Sequence, residues 1–192
     1  WGGSQPVFGT NASAFATPRS GGLPLVWDQS TSIMSQGDLL LAAKEGRKVP
    51  LGVGLDSNGE PTADPKAILN GGALLPFGDN KGASIAFMVE ILAGALSGGC
   101  MGFESPPGGT LPSKCGQFVM VIDPRCAGGG LDQRAESLMQ AIRASGSTRV
   151  PSAYRYARRE LAQAQGIKLS PDALAKLDEF AGPPAAAARH HG

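Results

Sequence analysis

Short apolar runs bounded by turn-forming residues dominate the first part of the chain. Ala12–Thr17 and Pro24–Trp27 are flanked by Gly, Pro, Asn and Asp, and this pattern predicts two strands. Ser30–Ser32 offer hydroxyl groups that can cap a helix, and apolar residues then recur at helical spacing. The pattern therefore predicts a helix that begins just after Asp28 and ends at Gly46.

The rest of the chain predicts one surface loop or hairpin, one further strand and four more helices. Residues 52–65 are rich in Gly, Asp, Asn and Pro, which favours a surface loop or hairpin. Residues 83–96 form the most apolar segment and predict a buried helix, too short to cross a bilayer and carrying Glu90 in its middle. Gln117–Ile122 predicts a strand. Three helices are predicted at 132–144, 152–165 and 170–180. Strands early and helices late indicate an α+β fold.

Composition narrows the classes of function. Hydrophobic residues make up 42% of the chain against 17% charged, which excludes a disordered chain, and the net charge of +1 gives no general attraction to nucleic acid or to an anionic membrane. The cysteines, Cys100, Cys115 and Cys126, are few and have no nearby histidine, so we expect no metal site and a cytoplasmic protein with reduced thiols.

The first residue of the chain suggests a fragment of a longer protein, and the position of the histidines limits the mechanisms that the chain can support. Trp1 stands where an initiator Met would be, and we expect the chain to be part of a longer one. His190 and His191 lie in a tail, residues 183–192, that is predicted to be disordered. Because the rest of the chain has no histidine, any mechanism that needs an imidazole must obtain it from other residues.

Two basic segments are candidates for binding phosphate. Lys81 follows a glycine-containing turn and opens an apolar helix, where unbonded backbone N–H groups favour an anion. The alternative is a lysine that only solvates a loop. Arg149–Ser152 open a later helix that carries Tyr154 and Arg155, and arginines there can bind phosphate oxygens in pairs. The alternative is an ordinary solvated helix face.

A third candidate is polar and acidic. Asp28–Ser32 follow a strand, and Asp38 interrupts an otherwise apolar helix, where burying a carboxylate would require a hydrogen-bonding partner. A plain helix cap is the alternative for Asp28. The chain has no G-x-G-x-x-G fingerprint at a strand-to-helix junction and no Walker A loop, so a Rossmann dinucleotide site is disfavoured.

Five motifs in order resemble the malate/L-lactate dehydrogenase family, whose fold is not a Rossmann fold. The motifs are Phe8–Asn11, Val26–Ser32, Gly37-Asp38, Leu74–Gly82 and Arg149–Ser152. The resemblance spans nearly the whole chain. Ala14–Arg19, taken with Asp38, is most similar to the branch of Δ1-piperideine-2-carboxylate and Δ1-pyrroline-2-carboxylate reductases.

The resemblance implies a largely antiparallel sheet with flanking helices and an NADPH-binding domain with C-terminal helices over residues 1–182. It implies that cofactor contacts come from Asp28, Gln29, Ser30, Asn80, Lys81, Arg149, Val150, Pro151, Ser152, Ala153, Tyr154 and Arg155. Thr10, Gln36 and Gly37 would line the substrate pocket. Asp38 would be the catalytic acidic partner of a Ser–His pair. In that family the pair and a substrate-binding arginine lie on an N-terminal segment.

The implied activity is NADPH-dependent reduction of a cyclic imino acid to L-proline or L-pipecolate, in a homodimer, with NADH as a possible cofactor. A 2-oxo acid substrate in a malate- or lactate-type 2-hydroxy acid dehydrogenase is the alternative reaction. A non-catalytic binding or assembly module is the alternative of another class. The sequence departs from the family pattern at Asp79, where a second glycine is usual, and at Ala12, where proline is usual.

Overall fold

Strands are confined to the first part of the chain, and the longest helices follow them. The computed structural model describes residues 2–104, 114–147 and 152–182. Its strands are β1 (Ser13–Thr17), β2 (Leu25–Gln29), β3 (Gly54–Leu55), β4 (Pro61–Thr62) and β5 (Ala73–Leu74). Its α-helices are α1 (Gln36–Lys44), α2 (Pro65–Leu69), α3 (Asn80–Val89), α4 (Leu131–Ala144), α5 (Ala153–Gln165) and α6 (Pro171–Ala181). A π-helical turn, Glu90–Ala95, continues α3.

The chain divides into two compact units. The first runs to Gly146 and holds the strands and α1 to α4, and the second begins at Ser147 and holds α5 and α6. In the part of the chain that the structure describes, no helix combines the length and apolar character that crossing a membrane requires.

The strands of the first unit form two small antiparallel sheets. β1 pairs with β2 in a register that places Phe15 opposite Trp27, and their rings stack with centroids 6.3 Å apart. The second sheet has the order β4-β3-β5. Gly54 in its central strand has no room for a side chain, because a Cβ there would lie 2.7 Å from the Ala73 carbonyl oxygen. The fold is thus a mixture of helices and small antiparallel sheets, where one larger sheet was expected.

The core of the first unit joins α1, α2 and the second sheet. Leu39 and Ala42 lie three residues apart on one face of α1 and are buried against Val49, Val53 and Ile68. The i, i+3 spacing is what an amphipathic helix uses to bury one face. Burying a side chain such as Leu39 contributes about 1.5–3 kcal/mol. This core fixes α1, whose first turn borders the site described below.

The segment after β2 pairs antiparallel with the segment before α3 through a bridge between Ser32 and Pro76, and this pairing brings distant motifs together. Phe77 N–H donates to the Thr31 carbonyl at 2.9 Å, and Ile33 N–H donates to the Leu75 carbonyl at 2.9 Å. Gly82, in the first turn of α3, packs against these paired segments: a Cβ there would lie 2.5 Å from the Phe77 oxygen and 2.8 Å from the Thr31 oxygen. Only glycine fits this close approach.

Several predicted elements are confirmed. The strands at 12–17 and 24–27 correspond to β1 and β2, the hairpin at 52–65 to β3 and β4, and the three late helices to α4, α5 and α6. The predicted start of α1 is wrong. β2 continues through Gln29, which pairs with Ser13, and Ser32 then bridges to Pro76, so the first helical residue is Gln36.

Two predictions about apolar segments are also wrong for this chain. The helix over residues 83–96 exists as α3 and its π-helical turn, but its outer face is exposed, with Phe87 at 59% of its full accessibility. Gln117–Ile122 forms no strand, because it has no partner strand among the described residues. Residues 183–192 lie outside the described residues.

Candidate active site

A cavity of about 670 Å³ lies at the open end of the β1–β2 hairpin, beside the start of α1. This volume is typical of small-molecule sites. Six of the residues predicted to bind cofactor or substrate line it: Thr10, Asp28, Gln29, Ser30, Gln36 and Gly37. The strand end, the segment before β1 and the first turn of α1 therefore meet around one space. Residues expected to contact cofactor and residues expected to contact substrate share this cavity.

Hydroxyl groups supply much of the polar lining of the cavity. The Ser32 hydroxyl donates to the Met34 carbonyl at 2.7 Å, and its oxygen lies 3.0 Å from that of Ser30. Among the described residues, no lysine or arginine lines the cavity, and Asp28 is the acidic residue of its lining.

Thr10 is fixed at the cavity by contacts on both of its sides. Its carbonyl oxygen accepts from the backbone N–H of Thr31 at 2.8 Å and from the Thr31 hydroxyl at 3.1 Å. The next residue, Asn11, donates through Nδ2 to the Ala86 carbonyl and to Glu90 Oε1, each at 2.9 Å. The half-buried Glu90 thus ties the segment carrying Thr10 to α3 and its continuation.

Sequence reasoning missed the positioning roles of Asn11 and Glu90. The available signal was a carboxylate in the middle of the most apolar segment, which was used only to argue against a membrane span. Glu90 Oε2 also accepts from the Gly102 N–H at 3.0 Å, so both carboxylate oxygens are satisfied within the protein. A carboxylate that is partly removed from water needs such partners.

Asp38 lies in the first turn of α1 and is exposed. Its backbone N–H donates to Ser35 Oγ at 3.0 Å, and the Ser35 hydroxyl donates back to Asp38 Oδ2 at 2.7 Å. Asp38 therefore lies within a helix, as expected, but in its first turn and not in its interior, because α1 begins later than predicted, and its carboxylate is not buried. Asp38 does not line the cavity, but its partner Ser35 does.

Lys81 and Asn80 lie at the start of α3, away from that cavity. Lys81 N–H donates to the Gly78 carbonyl at 3.0 Å and closes a tight turn whose second residue is Asp79. The Lys81 side chain is exposed and forms no ion pair within the described residues. Asn80 lines a second cavity of about 410 Å³ together with Phe8 and Phe87. The amino group of Lys81 is thus available to an anion.

The remaining predicted cofactor residues belong to the second unit. Arg149, Val150 and Pro151 lie outside the described residues. Ser152 precedes α5, which begins at Ala153 and carries Tyr154 and Arg155 in its first turn.

Tyr154 has a partner on its own helix. Arg158 Nε donates to the Tyr154 hydroxyl at 2.7 Å, and the guanidinium lies 5.2 Å from the ring centroid. Such a cation–π contact holds the ring against the helix.

An ion pair that sequence reasoning missed ties the β1–β2 turn to α4. Arg19 Nη1 lies 2.8 Å from Glu136 Oε2, and both side chains are about 85% buried. Ser20 N–H also donates to the Asp132 carbonyl at 3.2 Å. The Arg19 pair anchors the hairpin whose other end forms the cavity.

A second ion pair, Asp123 with Arg125, lies at the surface. Side-chain and backbone hydrogen bonds from Arg125 lower the pKa of Asp123, and the same side-chain bond raises the pKa of Arg125.

Comparison with known proteins agrees with the motifs around the cavity. A family model described as malate/L-lactate dehydrogenase matches residues 1–178. The chain belongs to this malate/L-lactate dehydrogenase family.

The chain is also similar in sequence to individual curated proteins. The chain is 46% identical over 186 residues to a Δ1-pyrroline-2-carboxylate/Δ1-piperideine-2-carboxylate reductase of Pseudomonas syringae pv. tomato, a match that covers 94% of this chain and 54% of the relative. It is 42% identical over 163 residues to a (2R)-3-sulfolactate dehydrogenase (NADP⁺) of Chromohalobacter salexigens, covering 83% of this chain and 48% of the relative.

A solved family member has the same fold. The crystal structure of Δ1-piperideine-2-carboxylate reductase from Pseudomonas syringae pv. tomato superposes with a TM-score of 0.86 at 44% identity, covering 93% of this chain and 55% of that chain. The chain therefore spans about half the length of the curated relatives it matches.

Proposed function

We propose that this chain forms the cofactor-binding part of an NADPH-dependent reductase of cyclic imino acids. The substrates would be Δ1-pyrroline-2-carboxylate or Δ1-piperideine-2-carboxylate, and the products L-proline or L-pipecolate. The observation that carries the proposal is the single cavity shared by Asp28, Gln29 and Ser30 with Thr10, Gln36 and Gly37. Relatives at 44–46% identity bear the names of reductases for these two substrates.

The residues around the cavity fit a nicotinamide cofactor in size and chemistry. The cavity volume of about 670 Å³ can hold a nicotinamide ring beside a small cyclic acid, and its hydroxyl and amide groups suit ribose and carboxamide. Asp28, Gln29 and Ser30 would hold this part of the cofactor. Lys81, exposed and without an ion-pair partner among the described residues, would neutralise a phosphate group. When bound, NADPH supplies the hydride.

The second unit would supply the remaining cofactor contacts. Ser152, Ala153, Tyr154 and Arg155 open α5, and we propose that they act with residues 149–151 on the cofactor phosphates. A guanidinium in this position would suit the 2′-phosphate that distinguishes NADPH from NADH.

The substrate would be oriented by the first turn of α1. The backbone N–H groups of Gln36 and Gly37 have no carbonyl partner among the described residues, and both residues line the cavity. Such groups at a helix start favour an anion. The carboxylate next to the C=N bond would bind there, and the Thr10 hydroxyl would border the ring.

Asp38 would position a proton donor. Its carboxylate already accepts a hydrogen bond from Ser35, and being exposed it can accept a second one from an imidazole supplied outside this chain. A carboxylate that accepts from one ring nitrogen orients the other toward the substrate and stabilises the imidazolium. The imidazolium would protonate the substrate nitrogen as hydride reaches the adjacent carbon.

A 2-hydroxy acid dehydrogenase is the second candidate. The sulfolactate dehydrogenase relative is 42% identical over 163 residues, an identity only slightly below that of the reductases. A 2-oxo acid offers a carboxylate next to a C=O bond, so the same cavity and proton donor would serve it. Substrate choice between the two would then depend on the ring and not on the cofactor.

The decisive experiment uses protein of the relatives' full length. NADPH is mixed in turn with Δ1-piperideine-2-carboxylate, Δ1-pyrroline-2-carboxylate, pyruvate and oxaloacetate, and the loss of NADPH absorbance is followed. We expect turnover with the cyclic imino acids, in a homodimer detected by light scattering. Turnover only with the 2-oxo acids would favour the second candidate. Absence of both turnover and calorimetric NADPH binding would favour a non-catalytic module.

The 192-residue chain tested alone should not turn over either class of substrate, because it has no histidine before His190. Imine reduction by this chain would contradict the assignment of the proton donor to residues outside it. Adding the other part of the protein in trans is the matched control, and it should restore activity.

A further inference from the structure

The half-buried carboxylate of Glu90 is held by uncharged groups. Asn11 Nδ2 donates to its Oε1 at 2.9 Å, and the Gly102 N–H donates to its Oε2 at 3.0 Å. No ion pair among the described residues includes Glu90. Because both partners are N–H donors, the position needs a side chain with two acceptor atoms, which a carboxylate provides and an amide does not.

The backbone around Glu90 departs from a regular helix. Glu90–Ala95 form the π-helical turn that continues α3, and such turns inside longer helices are frequent at functional sites. A Cβ at Gly102 would lie 2.8 Å from Glu90 Oε1 and 2.6 Å from the Gly9 nitrogen. The carboxylate therefore lies where three segments pack closely: the π-helical turn, the segment around Gly102 and the segment that leads into β1.

Asn11 connects Glu90 to the wall of the larger cavity. Its φ of 40° is in the left-handed region, which few residues other than glycine adopt. Two hydrogen bonds of 2.9 Å fix its side chain, one to Glu90 Oε1 and one to the Ala86 carbonyl. The residues on either side of Asn11, Thr10 and Ala12, both line the cavity. The contact with Glu90 therefore helps to fix where this part of the wall lies.

We infer that Glu90 is a positioning residue for the substrate. Through Asn11 it sets where Thr10 and Ala12 lie, and so how closely the wall fits the ring of the imino acid. The inference rests on the proposed function, in which Thr10 borders that ring. Glu90 itself lines neither cavity and acts only through Asn11. Lys81, proposed to bind a cofactor phosphate, lies at the opposite end of α3, so the effect concerns substrate rather than cofactor.

Steady-state kinetics of protein of the relatives' full length test the inference. Glu90→Gln places an amide NH₂ against one of the two N–H donors, so one donor loses its acceptor. We expect the KM for the imino acid to rise about tenfold, and the calorimetric Kd for NADPH to change by less than about threefold. An unchanged KM in folded Glu90→Gln enzyme would overturn the inference.

A paired exchange separates positioning from a general loss of stability. In the double variant Asn11→Asp with Glu90→Gln, the new amide donates to the new carboxylate and still accepts from Gly102. The net charge is unchanged, and the Ala86 carbonyl keeps the backbone N–H of residue 90 as its donor. The double variant should return KM to within about threefold of the parent, whereas Asn11→Asp alone, which brings two carboxylates together, should raise it more than about tenfold. No recovery of KM in the double variant would contradict the inference.

Two further variants control for folding. Asn11→Gly adopts the left-handed angle without strain and removes the same contact, so it should also raise KM, and it keeps the test open where Glu90→Gln fails to fold. A KM equal to that of the parent would count against positioning. Asp56→Ala removes two hydrogen bonds, of 2.8 and 3.0 Å, from the β3–β4 turn and lines neither cavity, so it should lower Tm and leave KM unchanged.

The parent enzyme distinguishes failure of this inference from failure of the proposed function. Turnover by the parent with 2-oxo acids alone would replace the proposed substrate, and the KM for the 2-oxo acid would then be compared between the variants. Absence of all turnover by the parent would overturn both the proposed function and the inference. Turnover with equal KM values in the parent and in Glu90→Gln would overturn the inference alone.

Discussion

Replacing Asp79 by glycine should stabilise this protein. Asp79 has φ 53° and ψ −112°, which are the angles of the second residue in a type II′ turn, and the Lys81 N–H to Gly78 carbonyl bond of 3.0 Å closes that turn. Glycine adopts these angles without the steric clash that a Cβ causes. Asp79 also gains no compensating bond, because its side chain does not cap α3.

The size of the effect follows from two opposing contributions. A non-glycine residue held in such a region costs about 1–3 kcal/mol. Glycine gives the unfolded chain additional freedom, which offsets about 0.4–1 kcal/mol of the gain. We therefore expect Asp79→Gly to raise the free energy of unfolding by about 1 kcal/mol, equivalent to an increase in Tm of about 2–4 °C for a chain of this length.

Urea denaturation of matched variants isolates the backbone contribution. Asp79→Asn removes the charge and keeps the strain, so its free energy of unfolding should stay within about 0.5 kcal/mol of the parent. Gly78→Ala introduces strain at φ 55° with room for the methyl group, and should lower it by about 1–2 kcal/mol. If Asp79→Gly is no more stable than Asp79→Asn, the argument from turn geometry is wrong.

Three further substitutions test the site and its support. Lys81→Ala should weaken NADPH binding about tenfold by calorimetry, the loss of one charge-assisted contact, and unchanged affinity would remove Lys81 from the cofactor site. Asp38→Asn should lower kcat in the full-length enzyme while leaving NADPH affinity nearly unchanged. Loss of NADPH binding would instead show that Asp38 contacts the cofactor and does not position the proton donor. Gly82→Ala should lower the free energy of unfolding by about 1–3 kcal/mol in urea titrations, because the methyl would meet backbone oxygens, and a neutral result would contradict the packing.

Local sequence signals predicted those elements whose partners lie close in the chain. The hairpin over residues 52–65 follows from turn residues that act over a few positions, and β3 and β4 pair across it. The glycines before α4 and Ser170-Pro171 at the start of α6 likewise determine where a helix begins through effects on neighbouring residues only. The six residues that line one cavity were named differently, through the family resemblance carried by motifs within residues 8–38.

The errors arose where a distant segment decides the structure. Ser30–Ser32 have the residue types of a helix cap. Ser32, however, lies in an antiparallel bridge to Pro76, whose hydrogen bonds engage the backbone of Thr31 and Ile33, so α1 starts at the next suitable cap, Ser35. Because α1 starts there, Asp38 lies in its first turn and not in its interior. No local pattern reports a hydrogen bond to a residue more than forty positions away.

The two apolar segments that differed from expectation point to one physical cause. Composition and periodicity predict which contacts a segment would need to be buried, namely apolar side chains packed on α3 and paired strands beside residues 117–122. The structure shows which of these contacts this chain forms, and in it the side chains of Phe87 and Val121 are mostly exposed. Since hydrophobic burial is proportional to the area removed from water, side chains left this exposed contribute little stability in this chain alone. The mismatch between needed and provided neighbours therefore locates the surfaces on which a partner segment would bind with the greatest gain in stability.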